Sequence, residues 1–274
     1  MKKILFSTLV LWAFQSHAQY FYKDIIGNQI ANNEMVSYKN ATIHEIKIIS
    51  YEADGSVTPD FFCVKKISKK FDKTTLYSHS LETGTSILET TFNPLSQIIK
   101  TYDSSELSNT VILFDYDGNN KISRIKTSSI SKNNKTITKL EEEHFYTYDA
   151  ESRLQKLLIV KNNSDTTVIL FSTDEFGNVI LEKDTKTAAK YYYYYDTKNR
   201  LTDIVHTNER TQKPVADYII DYNPDNQMET LKTSESENGN FLIWKYDYEN
   251  RLRIKERVFS KNEKFMGKIE YQYQ

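Results

Sequence analysis

From about residue 48 onward the chain alternates short apolar stretches with polar, turn-forming clusters, and one pattern recurs at least eight times. It runs aromatic, Asp or Asn, two variable residues, Asn, Gly or Ser, a polar residue, then an aliphatic; the clearest copy is Tyr195-Asp196-Thr197-Lys198-Asn199-Arg200-Leu201. Copies begin at Tyr51, Phe92, Tyr116, Tyr148, Thr173, Tyr195, Tyr222 and Tyr246, and from Phe92 on they recur every 22 to 32 residues. A degenerate copy starts at Phe71, and Tyr271-Gln272-Tyr273-Gln274 reads as the start of another that stops at its turn. Such a period marks a tandem array of one supersecondary unit.

The unit reads as a β-hairpin. Asp196 opens a type I turn, Thr197 and Lys198 are its central pair, and Asn199 takes the left-handed conformation of a G1 bulge. Pro94 and Pro224 fall at the second turn position, where their fixed φ fits. The left-handed position holds Gly55, Asn120, Gly177, Asn199, Asn226 and Asn250, types that tolerate positive φ, with Ser96 and Ser152 fitting less well. This loop length sets each aromatic opposite the aliphatic six residues on: Tyr51 with Val57, Phe92 with Ile98, Tyr116 with Ile122, Tyr148 with Leu154, Tyr195 with Leu201, Tyr222 with Met228 and Tyr246 with Leu252. Each cross-strand pair contributes ~0.2–1 kcal/mol beyond Ala–Ala.

The same register predicts a second pair on the opposite face: Leu113 with Ile125, Phe145 with Leu157, Tyr192 with Ile204, and Ile219 with Leu231. Ile243 with Lys255 and Leu170 with Glu182 break that pattern. Apolar residues on both faces predict a sheet that is covered or packs on itself. Eight or nine hairpins give sixteen to eighteen strands, and twisted open sheets rarely exceed about ten without curling. The expected fold is all-β, an antiparallel meander of tandem hairpins forming a curled sheet, half-barrel or spiral roll. The array covers residues 48–274. Residues 19–47 carry no repeat and no strong period, and are expected to form a cap that shields the first edge strand.

The first eighteen residues read as a cleaved export signal. Lys2 and Lys3 precede an apolar run from Ile4 to Phe14, too short to span a bilayer, and Ser16-His17-Ala18 sets small residues at the cleavage positions, so the cut falls before Gln19. The expected destination is periplasmic, surface-associated or extracellular. Without Lys2 and Lys3, 34 basic side chains face 37 acidic ones, which excludes the electrostatic footprint of a nucleic-acid binder. Cys63 is the lone cysteine and reads as a small buried apolar side chain. Twenty Tyr and fourteen Phe suit pleated surfaces, while seven Gly and four Pro leave most turns to Asn and Asp.

The copies Tyr148 to Leu154, Tyr195 to Leu201 and Tyr246-Asp247-Tyr248-Glu249-Asn250-Arg251-Leu252 resemble the YD repeat of the Rhs family, found in bacterial toxins, toxin-complex shells and teneurins. The resemblance covers Ile48 to Gln274. It implies β-hairpins that spiral into a hollow shell, and it is closest to short secreted YD-repeat proteins.

Candidate chemistry is sparse. Asp115-Tyr116-Asp117-Gly118-Asn119-Asn120 resembles the opening of a calcium loop, but Asn120 stands where Gly is needed and Lys126 where a bidentate Glu is needed, so the hairpin turn explains these residues better. Tyr191, Tyr193 and Tyr195, with Trp244 at the position equivalent to Tyr193, are candidates for stacking on a ligand, weighed against cross-strand packing. The histidines lack metal-ligand spacing, and no nucleophile or phosphate-loop motif is present. No catalytic, metal or cofactor-binding residue is assigned. Repetition without a unique polar constellation points to a non-enzymatic secreted or periplasmic β-repeat protein that presents a binding or cell-envelope surface, with an envelope protein or glycan as partner. The alternatives are a toxin-associated Rhs-like accessory or remnant, and a glycan-acting enzyme, which needs two convergent carboxylates.

Overall fold

The computed structural model describes residues 19–133, 136–207, 213–234 and 240–274. The expected export signal, residues 1–18, lies outside the described residues, as do residues 134–135, 208–212 and 235–239. After a π-helical turn, Phe21–Ile26, and helix α1, Gly27–Asn40, come eighteen strands. They are β1 (Glu45–Glu52), β2 (Phe62–Ile67), β3 (Lys73–Ser80), β4 (Gly84–Phe92), β5 (Ile98–Ser105), β6 (Ser108–Tyr116), β7 (Ile122–Asn133), β8 (Thr136–Tyr148) and β9 (Leu154–Lys161). The meander continues with β10 (Asp165–Thr173), β11 (Val179–Asp184), β12 (Lys190–Tyr195), β13 (Leu201–Thr207), β14 (Pro214–Tyr222), β15 (Met228–Ser234), β16 (Phe241–Glu249), β17 (Leu252–Ser260) and β18 (Phe265–Tyr273). The polar residues Ser128, Ser129, Ser131 and Thr138 belong to strands β7 and β8.

Every strand pairs antiparallel with its sequence neighbours, and β18 pairs with β1, Tyr271 opposite Ile48 and Tyr273 opposite Ile46. The sheet is therefore a closed barrel, not the expected curled sheet, half-barrel or roll. The terminal Tyr271 to Gln274 segment, read as a copy halted at its turn, closes the seam. Gln274 and Glu45 exchange backbone hydrogen bonds there. No edge of β1 is left for a cap to shield.

The turns explain the recurrence of Asp. Asp196 Oδ1 accepts the backbone N–H groups of Lys198 at 2.9 Å and Arg200 at 3.0 Å. Asp117 and Asp174 do the same in their own turns, as does Asn93. Ser96, Asn120, Ser152, Asn199 and Asn226 all carry positive φ, as do Gly55 and Gly177. The pairs Tyr51–Val57, Phe92–Ile98, Tyr116–Ile122, Tyr148–Leu154, Tyr195–Leu201 and Tyr222–Met228 stand opposite one another.

Tyr246 and Leu252 do not pair. In that hairpin Asn250 and Arg251 both take positive φ, the signature of a tight two-residue turn. Glu249 then faces Leu252, Tyr248 faces Arg253, and Tyr246 faces Glu256. Asp247, freed from turn duty, binds Arg257 at 2.6 Å on the outer surface.

The expected second pairs are displaced by one residue. Leu113 faces Lys126, Phe145 faces Leu158, Tyr192 faces Val205, Ile219 faces Lys232 and Leu170 faces Lys183, while in the tighter hairpin at Asn250 the shift is four residues and Ile243 faces Phe259. The cause is the bulge, which adds one residue to the second strand and shifts all pairing beyond it. Phe114 thus meets Ile125, Tyr146 meets Leu157, Tyr193 meets Ile204 and Ile220 meets Leu231. These residues share the inner face with the repeat aromatics. The apolar rows therefore converge inward, and Leu113 and Leu170 are left exposed outside.

The repeat tyrosines also join one hairpin to the one before it. Tyr116 donates its hydroxyl hydrogen to the Ile98 carbonyl at 2.7 Å, Tyr148 to Ile122 at 2.9 Å, Tyr195 to Val179 at 2.9 Å and Tyr222 to Leu201 at 2.8 Å. Tyr248 and Tyr273 continue the series onto Met228 and Arg253. The accepting carbonyl belongs to the first residue of its strand in the first five cases and to the second, Arg253 of β17, in the last, each at the bulge where the ladder is interrupted. A Phe at these positions would pack but could not make this bond.

Eighteen strands about 4.8 Å apart make a circumference of about 86 Å, hence a diameter of about 27 Å, before tilt widens it. Wall side chains reach inward about 5 Å from each side, half the usual sheet-to-sheet spacing, which leaves about 17 Å, more than the width of one helix, about 10–12 Å. The helical segment occupies this lumen. Phe21 and Tyr22 pack with buried residues of β7 to β14. Met35 and Tyr38 pack with buried residues of β1 to β5 and β18. Asn28 Oδ1 lies 3.3 Å from the Tyr116 hydroxyl, and Asn32 accepts a hydrogen bond from the Ile98 backbone N–H at 2.9 Å.

Two substitutions separate these contributions. Tyr222→Phe keeps the packing and loses one hydrogen bond, so it is expected to cost about 0.5–1.5 kcal/mol. Leu201→Ala, at a buried position, is expected to cost about 2–5 kcal/mol. Denaturant midpoints measure both, and an unchanged midpoint for Tyr222→Phe would remove the hydroxyl bond from the account.

Candidate functional site

The densest polar cluster lies in the lumen at the start of the helical segment. Glu182 on β11 occupies an inward position that other copies fill with Ile125, Leu157, Ile204 and Leu231. It is 1% exposed. Its Oε1 accepts the backbone N–H groups of Gln19 at 2.9 Å and Tyr20 at 3.0 Å, and its Oε2 accepts those of Phe21 at 3.0 Å and the Tyr193 hydroxyl at 2.7 Å. The first N–H groups of a helix have no partner within it and carry partial positive charge, so a carboxylate here seats the helix on the wall. Burial pushes the Glu182 carboxyl up, and these four donors offset the shift only in part.

Gln19 anchors a second wall element, its side-chain amide donating to Asp217 at 2.7 Å. Asp217 also meets the His206 Nδ1 at 2.8 Å. Burial raises the Asp217 carboxyl, with His206, Gln19 and Lys23 opposing. On β8, His144 is clamped between Asp24 of the helical segment, 2.5 Å from its Nδ1, and Glu142, 2.6 Å from its Nε2. Tyr146 donates to the same Asp24 oxygen at 2.5 Å. Burial alone would lower the His144 pKa, but the two carboxylates outweigh it and raise it to about 9. The imidazolium donates through both nitrogens, which leaves neither free to relay a proton. The cluster is built to fix the helix.

A second lumenal cluster lies toward the far end of α1. Arg253 binds Glu256 at 2.8 Å with its guanidinium 4.5 Å from the centre of the Tyr246 ring, and Tyr271 donates to Glu256 at 2.6 Å. Lys65 lies 3.9 Å from Glu34 of α1 and over the Tyr38 ring.

The residues singled out from sequence fall into place around this lumen. Tyr191, Tyr193 and Tyr195 face inward on β12. Tyr193 is buried edge-on against Phe21, and Tyr195 is held by the Val179 carbonyl. Trp244 is buried beside Val258. Tyr194 faces outward and is exposed. Asp115 is on the outer surface, whereas Asp117 is spent on its own turn. Among the described residues, no group of three His, Cys, Asp or Glu side chains is placed to hold a metal ion. Sequence reasoning did not assign Glu182, Asp217, His144 or Glu256 to any site. Glu182 carried a legible signal, as the acidic exception in an apolar row.

The outer wall bears a depression of about 410 Å³ over β1 to β3, lined by Glu45, Phe62, Val64, Lys66 and Tyr77. Tyr77 stands across from Val64 and Phe62 lies two residues along; both rings are exposed.

No protein-family model matches the chain, and no curated protein does. Among solved structures it is similar to a chain of the Photorhabdus luminescens Tc holotoxin pore, at 12% identity and a TM-score of 0.34, over 78% of this chain and 12% of that one. It is similar also to a porin-like protein from Bacteroides uniformis, at 8% identity and a TM-score of 0.38, over 85% of this chain and 98% of that one. A porin-like protein from Bacteroides vulgatus aligns over the same shares at 11% identity and a TM-score of 0.29. At such TM-scores the likenesses carry no argument about activity or partner. They extend at most to a related β-repeat architecture, not to the YD-repeat assignment itself.

The His144 clamp makes stability pH-dependent. Its folded pKa of about 9 lies above the ordinary 6.5, so its contribution is complete below about pH 6.5 and is lost as pH rises through 9. The expected loss is on the order of 3 kcal/mol. Denaturant midpoints from pH 6 to 10 should show this fall, and His144→Gln should flatten it.

Proposed function

We propose that this chain is an exported, non-enzymatic β-barrel of the YD-repeat type that binds a partner at the cell envelope through its outer wall. The observation that carries this reading is the occupied lumen. The chain's own helix lies in the space a channel or a cargo shell would use, and the strongest polar groups there are spent on holding it. One stripe of that helix, with Ile30 and Val36, stays exposed, and the rest of the accessible surface is the outer wall.

The outer rows are unlike a lipid-facing band. Arg124 and Lys126 both pair with Glu143, Lys268 pairs with Glu270, and Arg257 pairs with Asp247, all mid-strand on the outer face. A charge at the bilayer midplane of such a barrel costs roughly 2–4 kcal/mol for Arg or Lys. The rows fit a wall that faces water, consistent with the leader-like first eighteen residues.

The depression over β1 to β3 is the favoured contact point. Exposed Phe62 and Tyr77 rings flanked by Lys66 and Glu45 combine apolar stacking surface with hydrogen-bonding groups, a combination suited to a glycan face. Binding of the mature protein to purified envelope glycans, measured by calorimetry, is expected to weaken at least tenfold in Phe62→Ala and Tyr77→Ala with the melting temperature nearly unchanged. Equal binding by these variants would move the contact elsewhere on the wall. Failure to bind any glycan would favour an envelope protein as partner.

A further inference from the structure

The nitrogen of Gln19 has an unusual position. Gln19 is the residue at which the predicted cleavage begins the mature chain, it is 6% exposed, and it sits at positive φ inside the barrel. Its backbone nitrogen lies 2.9 Å from a carboxylate oxygen that is itself buried. A main-chain amide offers that carboxylate a dipole; a chain terminus offers it a full charge.

We propose that cleavage before Gln19 converts this nitrogen, already seated on Glu182, into an α-ammonium, and that the resulting buried ion pair locks the helix in the lumen, so that export processing completes the fold. The inference rests on the exported reading above and adds the purpose of the cut. Hydrolysis by an export peptidase places the oxygen of water on the Ala18 carboxyl. The Gln19 nitrogen gains hydrogen from the water and is protonated at neutral pH.

The surrounding charges favour a cation. Around Gln19 the helical segment supplies Tyr20, Lys23 and Asp24, and β8 supplies Glu142, His144 and Tyr146. From β11 and β12 come Glu182, Asp184 and Tyr193, and from β13 and β14 come His206, Asp217 and Tyr218. Within that set five carboxylates face one lysine and two histidines. A buried carboxylate is costly unless it is both hydrogen-bonded and paired with opposite charge. Glu182 already has the hydrogen bonds, and the terminus supplies the charge. The Gln19 side chain, fixed on Asp217, is held in an extended contact of its own, so its amide is occupied away from cyclising onto the terminal nitrogen.

The pH dependence has a definite sign. An α-amino group ordinarily titrates near ~7.7–8.0. Burial, which lowers Lys23 in the same cluster, opposes its charge, and the ion pair requires that pairing with Glu182 outweigh this burial and raise the value in the folded protein. The added stability is complete below about pH 7.7 and is lost as pH rises through the raised value.

Three preparations with defined N-termini test this: the chain starting at Gln19, the same chain with one extra Ala in front, and the Gln19 form carrying Glu182→Gln. At pH 7 the Gln19 form is expected to have an unfolding constant at least tenfold smaller than the Ala-extended form, and this gap is expected to vanish above about pH 10. In the Glu182→Gln background the gap should be absent. Should that variant fail to fold, amine labelling of the Gln19 form decides: the terminal amine is expected to resist a reagent that modifies it readily after denaturation. Equal stability of the first two forms, or labelling of the native terminus at the rate of a free peptide, would overturn the ion pair. The intact mass of protein exported with residues 1–18 present tests the processing separately. A first residue other than Gln19, or a mass 17 Da low from cyclised glutamine, would overturn the proposal while leaving the binding reading untouched.

Discussion

A barrel of eighteen strands is wider than its own wall side chains can fill, and this geometric surplus governs the rest of the molecule. An empty lumen that size would either admit water to rows of Ile, Leu and Val or leave them without contacts, and both forfeit the apolar burial that stabilises the fold. Two devices meet the demand. The repeat tyrosines extend farther inward than aliphatics, and their hydroxyls end on carbonyls of the preceding hairpin. The helical segment covers much of what remains, with Phe21, Tyr22, Met35 and Tyr38 buried against the wall. Its sequence suits that task and little else: Asn28, Asn32 and Asn33, with Gly27, are poor for an isolated helix, but each Asn can supply hydrogen bonds to its surroundings.

Much of the hairpin chemistry was legible in the chain. Asp117, Asp174 and Asp196 announce their turns because only a short acceptor at that place reaches two backbone N–H groups, and Asn120, Asn199 and Asn226 announce positive φ. The aromatic–aliphatic pairs follow from loop length alone. The second pairs went astray because a bulge shifts everything beyond it by one residue, so Ile204 and Leu157 turn to the lumen. The hairpin at Asn250 departed because Asn250 and Arg251 can form a tighter turn, which moves the repeat's role from Tyr246 to Tyr248.

Closure and the lumenal helix were not legible for a physical reason. The pairing of β18 with β1 is set by the sum of small twists over the whole meander, and no local motif records a sum. The helix showed no strong period because its wall-facing sides mix chemistry: Met35 and Tyr38 meet apolar wall, while Asn28, Asn32 and Asp24 meet polar wall, and its exposed stripe carries Ile30 and Val36 beside Gln29, Asn33 and Asn40. Polar and apolar residues are therefore not segregated around it. Glu182 was visible only as a fault in the repeat, and its meaning needed the helix beside it. In a repeat protein the unrepeated residues carry the particular information. Here they converge inside, around Gln19, and the outer wall, where Phe62 and Tyr77 are exposed, is the surface proposed for a partner.

The central claim is that residues 19–40 form an integral core of the barrel. Native-state amide hydrogen exchange of the chain starting at Gln19 tests it most directly, residue by residue and without any substitution. The account predicts that amides from Lys23 to Tyr38 exchange only with global unfolding, as slowly as those of β12 and β13. Exchange of that segment at the rate of a free peptide, with the strands still protected, would contradict it.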